Sequence, residues 1–175
     1  FIAAGKPIIG ICNGFQVLVK AQLLPGIGGS GTRQQYTLCT NDRGCFETGW
    51  VDLACCPGRC IWTAGIERLS LPVAHGEGKF VAISEQARQL LWDQGLVALI
   101  YVCEDGSPAQ GRYPANPNGS VDDIAGICDA TGLVFGLMPH PERYVCRTQS
   151  YSWTRFSGDA DEAQGLSVFR NAVRH

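Results

Sequence analysis

The run Pro7-Ile8-Ile9-Gly10-Ile11-Cys12-Asn13-Gly14 constrains this chain more than any other. Pro7 to Ile11 is a short apolar stretch of the kind that forms a buried strand. From Asn13 to Leu24, residues Phe15, Leu18, Val19, Gln22 and Leu23 fall at helical spacing, and Pro25-Gly26 stops them. A strand that passes almost directly into a helix implies a layered fold, with the strand in a sheet and the helix covering it. At the junction Gly10 and Gly14 stand two positions either side of a thiol. A turn of this pattern is a nucleophile elbow, in which the central residue is held strained and crowded by its glycine neighbours. The thiol then lies at a helix N-terminus, where the dipole and free N–H groups are expected to lower its pKa and to hold a developing oxyanion. A buried cysteine in an ordinary strand-to-helix turn is the alternative.

Strand and turn signals follow. Tyr36–Leu38, Trp50–Leu53 and Ile61–Thr63 are predicted strands, separated by Asn41-Asp42, Arg43-Gly44 and Pro57-Gly58. Pro72 to Phe80 reads as a glycine-flanked loop, and Ser84 as the cap of a helix ending at Asp93. Val97–Val102 is a strand, Ser107–Asn118 a proline- and glycine-rich loop, and Ile124–Asp129 with Gly132–Met138 a hairpin. A last helix from Asp161 to Val173 would turn Leu166, Phe169 and Val173 inward. No repeat appears, and 175 residues suit one α/β domain spanning residues 1–175. Phe1–Gly5 reads as the end of a helix running into a turn, as if earlier residues had been cut away.

A thiolate nucleophile needs a base, and the chain has three histidines. His175 is terminal and His75 lies in the expected loop. His140 follows an apolar strand in Leu137-Met138-Pro139-His140-Pro141-Glu142-Arg143. Two prolines stiffen that backbone, and the Glu142 carboxylate is within reach of the imidazole, which is the base-plus-orienter pair a cysteine nucleophile requires. A histidine that merely caps a strand end is the alternative.

Other classes are disfavoured by composition. Fourteen basic against sixteen acidic residues leave a net charge of −2, with no cationic excess for nucleic acid. No apolar run approaches the length of a membrane helix. Nine cysteines cannot all pair, so free thiols in a reducing cytoplasm are expected, not a secreted disulfide scaffold. Cys55-Cys56-Pro57-Gly58-Arg59-Cys60, with Cys39 and Cys45 upstream, suggests zinc. Adjacent cysteines suit one tetrahedron poorly, however, and no histidine is near in sequence, so no metal is expected. Gly26 to Gly31 lacks the Lys-Ser/Thr ending of a phosphate loop.

Gly10-Ile11-Cys12-Asn13-Gly14-Phe15-Gln16 together with His140-Pro141-Glu142 resembles the class I, triad-type glutamine amidotransferases. Pro72–Phe80, Asn116-Pro117-Asn118-Gly119-Ser120, Ile124–Cys128 and Gly136–Arg143 narrow the resemblance to the glutaminase subunits of phosphoribosylformylglycinamidine synthase. The guanylate, carbamoyl phosphate and cytidylate systems share the elbow and His-Pro-Glu, but not the His-Gly-Glu-Gly and Asn-Pro-Asn-Gly-Ser segments. A non-catalytic binding subunit on the same fold is disfavoured by the intact Cys12, His140 and Glu142.

The resemblance implies a three-layer, flavodoxin-like domain that hydrolyses L-glutamine. Cys12 would be the nucleophile, His140 the acid and base, and Glu142 its orienter. The Asn13 N–H would hold the oxyanion, and Gln16 would touch the substrate. His75 would face the partner. That partner would be a large synthetase subunit, with a small third subunit as a further candidate, and it would use ATP and Mg to make formylglycinamidine ribonucleotide; no cofactor would bind this chain. Family members begin with earlier strands that are missing here. The chain alone is therefore expected to be poorly soluble and weakly active.

Overall fold

Val97 to Val102 contains no charged or amide side chain, and such a strand is stable only when covered on both faces. The computed structural model describes residues 1–27, 33–155 and 163–175, and places this strand near the middle of a six-stranded sheet. The elements are β1 (Ile8–Ile11), α1 (Asn13–Lys20), β2 (Tyr36–Thr40), β3 (Glu47–Cys55), β4 (Arg68–His75), β5 (Glu77–Ala82), α2 (Glu85–Asp93), β6 (Val97–Val102), β7 (Ile124–Cys128), β8 (Val134–Leu137) and α3 (Gln164–Arg174). The sheet order is β1-β8-β7-β6-β3-β4, and β2 pairs with β5 in a separate antiparallel ribbon. Among the described residues only β1 and β8 run parallel; the other pairings are antiparallel.

The sheet divides two apolar layers, as the three-layer expectation requires. On one side Phe15, Leu18 and Val19 of α1, Leu91 of α2 and Phe80 of β5 pack against Ile124, Ile127 and Val134. On the other, Val168 of α3, Trp62 and Tyr144 pack against Leu71, Tyr101, Phe135 and Leu137. Gly136 shows how tight the first layer is, because a Cβ there would stand 2.2 Å from the Phe15 ring. The sheet is curled. Although β1 and β4 are its two outer strands, the His140 N–H beyond β8 donates to the Pro72 carbonyl of β4 at 2.8 Å, and the Cys12 thiol reaches the Ala74 carbonyl at 3.9 Å.

Four sequence expectations are corrected. Ile61–Thr63 forms a 3-10 turn, not a strand. It is held there by Trp62, whose indole stacks near Phe135 and donates to the Leu133 carbonyl at 2.9 Å. Pro72–Phe80 is not a loop: it is the end of β4, a single bend at Gly76 and most of β5. Pro72 is tolerated because β4 is an edge strand that needs no N–H there. Helix α1 ends at Lys20 rather than Leu24. In α3 the inward side is Gly165 and Val168, with Phe169 and Ala172 packed beside them, while Val173 is 87% exposed. The expected start of α3 at Asp161 and the glycine run 28–31 lie outside the described residues.

Candidate active site

Cys12 sits where β1 becomes α1. Its N–H completes the β1/β8 pairing by donating to Leu137 at 2.8 Å. Its backbone then turns to φ 52°, ψ −107°, a conformation that costs a non-glycine residue of order 1–3 kcal/mol. The elbow is real, but its two glycines are not equivalent. A Cβ at Gly10 would lie 2.5 Å from Leu18 and 2.7 Å from the Gly14 backbone, whereas one at Gly14 would meet nothing within 4 Å. Gly10 therefore permits the close approach of helix to strand, and Gly14 is not sterically required.

The Asn13 backbone N–H points at the Cys12 sulfur, and Arg143 and Glu142 are close enough to act on its charge. The net effect on the thiol is opposite to the one expected from the helix terminus. Burial is the largest influence and raises its pKa, outweighing the Asn13 N–H and Arg143, which lower it. A raised pKa favours the thiol over the thiolate, so the nucleophile needs a base to take its proton.

His140 follows β8 by three residues, anchored to β4 by its own N–H. Its Nδ1 lies 2.6 Å from Glu142 Oε1, and Arg143 Nε approaches the same carboxylate oxygen at 3.6 Å. This bond places the proton on Nδ1 and leaves Nε2 as the basic nitrogen. Nε2 is buried and has no hydrogen-bond partner among the described residues. Thiol and imidazole are thus delivered to one end of the sheet by neighbouring parallel strands, β1 and β8. Chemically the arrangement can deprotonate a thiol, protonate a leaving group and stabilise an oxyanion from the Asn13 N–H.

Gln16, one turn into α1, turns its amide toward Glu77 at the start of β5, with long 3.5 Å contacts to its carbonyl and carboxylate. His75 is the residue whose placement differs most from expectation. It closes β4, opposite Glu47 of β3, with 2% of its surface exposed, and so does not offer its side chain to a partner. Burial lowers its pKa, and the nearby His140 adds to that effect.

Tyr101, fully buried, accepts a hydrogen bond from Asn118 at 3.1 Å and is within electrostatic reach of Cys12. Asn118 also bonds Gly78 and Ser120, while Asn116 bonds Asp123 and Ser120. This network braces β5 and had a sequence signal: amides and a hydroxyl packed among Pro117 and Gly119 favour side-chain-to-backbone bonds. All nine cysteines are free. Among the described residues no group of three histidine, cysteine or acidic side chains is placed to hold a metal.

The thiol at a strained strand-to-helix turn and the carboxylate-bound imidazole are carried by the paired strands β1 and β8 of an α/β sheet, and they are groups that thiol-dependent acyl transfer needs. Consistent with this, residues 1–175 match the family described as CobB/CobQ-like glutamine amidotransferase domain, and the chain belongs to it. Among curated relatives, it is 45% identical to the phosphoribosylformylglycinamidine synthase subunit PurQ of Dehalococcoides mccartyi, over 99% of this chain and 65% of that protein. It is 39% identical to the PurQ subunit of Methanococcus maripaludis, over 100% of this chain and 67% of the relative. The structure of PurLQS from Thermotoga maritima superposes with a TM-score of 0.66 and 30% identity, covering 99% of this chain and 63% of that one. Within the amidotransferases the chain thus falls in the family of PurQ subunits, and it spans about two thirds of the length of these relatives. Among the described residues, no helix is long and apolar enough to cross a membrane.

Proposed function

We propose that this chain is the glutaminase component of a phosphoribosylformylglycinamidine synthase, with Cys12, His140 and Glu142 as its triad. His140 Nε2 takes the Cys12 proton as sulfur attacks the carboxamide carbon of L-glutamine. The tetrahedral oxyanion is held by the Asn13 N–H. Collapse breaks the C–N bond, and the proton on His140 leaves with ammonia. Water then gives a proton to Nε2 and its oxygen to the thioester carbon. The C–S bond breaks, and His140 returns the proton to sulfur. Gln16 contacts the bound glutamine. Ammonia passes to a synthetase subunit, which supplies the ATP- and Mg-dependent chemistry on formylglycinamide ribonucleotide.

The observation that carries this reading is the 2.6 Å His140–Glu142 bond, at the sheet end that also carries the Cys12 elbow. Nine unpaired thiols support a reducing cytoplasm as the setting. The reading is tested by treating the natural chain with an electrophilic glutamine analogue and mapping the modified peptide. A single adduct on Cys12 is expected, blocked by excess L-glutamine; modification elsewhere overturns the mechanism.

A further inference from the structure

Buried polar groups in a folded protein are almost always hydrogen-bonded, so an unpartnered one has a reason that can be sought. Among the described residues four buried side-chain nitrogen and oxygen atoms lack a partner: Asn41 Oδ1, His75 Nδ1, His75 Nε2 and His140 Nε2. They are not scattered. Asn41 donates its amide to the carbonyl of His75 itself at 2.8 Å, and His75 and His140 are close enough for the charge of one to oppose that of the other. By contrast Asn116, Asn118, Ser120 and Asp123, equally buried and nearby in the fold, are bonded throughout. The deficit is confined to β4 and the segments bonded to it, since the His140 N–H is itself held by Pro72 of that strand.

The fold forces His75 into this position. Along β4 the buried positions alternate as Leu69, Leu71, Val73 and His75, so a polar ring occupies the last place of an apolar row. Ala74, immediately before it, supplies the carbonyl that the Cys12 thiol reaches. On the opposite side β5 carries glycine: a Cβ at Gly78 would stand 3.1 Å from His75 Nδ1 and 3.2 Å from Asn118 Nδ2. An imidazole placed here for packing alone would be served better by leucine, because it loses its hydration and keeps only a contact with its own backbone.

We propose that His75 is a positioning residue that, together with His140, holds the water molecule used in the second half-reaction. This rests on the glutaminase reading. His140 Nε2 accepts one proton of that water, and His75 fixes the water through its own unpartnered nitrogen, so that the oxygen faces the thioester carbon. The first half-reaction requires no water and does not use His75. Two imidazoles around one buried water supply the two polar partners that such a water needs at minimum.

The test separates the half-reactions in the natural chain assembled with its synthetase partner. His75→Phe and His75→Gln are compared with the unsubstituted protein in two measurements. One is the rate of Cys12 labelling by an electrophilic glutamine analogue; the other is the fraction of protein carrying the glutamyl thioester during turnover, read by intact mass after acid quench. In His75→Phe, labelling is expected to stay within about twofold. The thioester should break down at least about tenfold more slowly and accumulate, the loss expected when a reacting group is misplaced. His75→Gln, which keeps a polar group at similar reach, should recover most of the breakdown rate. Unchanged thioester levels in both variants overturn the proposal, as does a parallel fall of labelling and breakdown in both, which marks a structural residue. Failure of the unsubstituted protein to label at Cys12 overturns the glutaminase reading instead.

Discussion

At the scale of single residues, the site depends on strain and burial in opposite ways. Gly10 lets α1 pack onto β1, and a Cβ in its place would collide with backbone at 2.7 Å. Gly10→Ala should therefore lose Cys12 labelling and unfold at lower temperature, while Gly14→Ala, facing open space, should fold normally; thermal melts of the two variants check this. Burial sets the thiol itself. Because its pKa lies above the ordinary 9.0, alkylation by neutral iodoacetamide should be slow at pH 7 and still rising beyond pH 9; an inflection below pH 8 would contradict the burial argument. Glu142 holds His140 in one tautomer, and replacing it with glutamine should cut glutamine hydrolysis by roughly 10²–10⁴-fold, measured as glutamate released. The strained turn at Cys12 and the contact of His140 with Glu142 were legible because turn chemistry and i,i+2 spacing are local. The direction of the Cys12 shift was not, because it comes from burial among segments far apart in the chain, Phe80 and Met138 among them.

At the scale of elements, the β2–β5 ribbon is held by aromatic stacking. Phe80 lies between Phe15, at 6.1 Å, and Tyr36, at 6.0 Å. Phe80→Ala should cost about 3–5 kcal/mol, and because β5 begins beside Gln16, it should also weaken glutamine binding; denaturant titration and KM measure the two effects. Helix α2 was legible from its cap. Ser84 Oγ accepts from the Ala87 N–H at 3.2 Å, so Ser84→Ala should cost about 1 kcal/mol. Helix α3 was misread on one face. Its geometry is set by Gly165, where a Cβ would stand 2.1 Å from the Pro141 carbonyl. A glycine contributes nothing to an apolar periodicity, so the side it pressed against the His140 segment carried no signal.

At the scale of the whole molecule, two adjacent cysteines away from the site record burial. The Cys55 thiol is pushed up to about 12 and Cys56 to about 11, in both cases chiefly by burial. The unfolded chain loses these protons near 9.0, so between that pH and about 11 to 12 the folded state holds more protons than the unfolded one. Stability from these groups is thus fully present below pH 9 and lost as pH rises through that window. The midpoint of urea unfolding should fall between pH 9 and 11, and replacing Cys55 and Cys56 with alanine should flatten that fall.

The sequence by itself determined the elbow at Cys12, the β7–β8 hairpin, the capped α2 and the pairing of His140 with Glu142. Each of these follows from residues a few positions apart, and short-range sterics and hydrogen bonds act at that range. Tertiary structure alone decided that Pro72–Phe80 would be two strands rather than a loop, and that His75 would be buried rather than turned to solvent. It also decided that burial would outweigh the helix terminus at the thiol. All three arise from contacts between segments far apart in the chain: β4 pairs with β3, β5 with β2, and the curled sheet brings β4 back toward β1 and β8. Curvature of that kind comes from the summed twist and packing of six strands and is written in no single stretch of them.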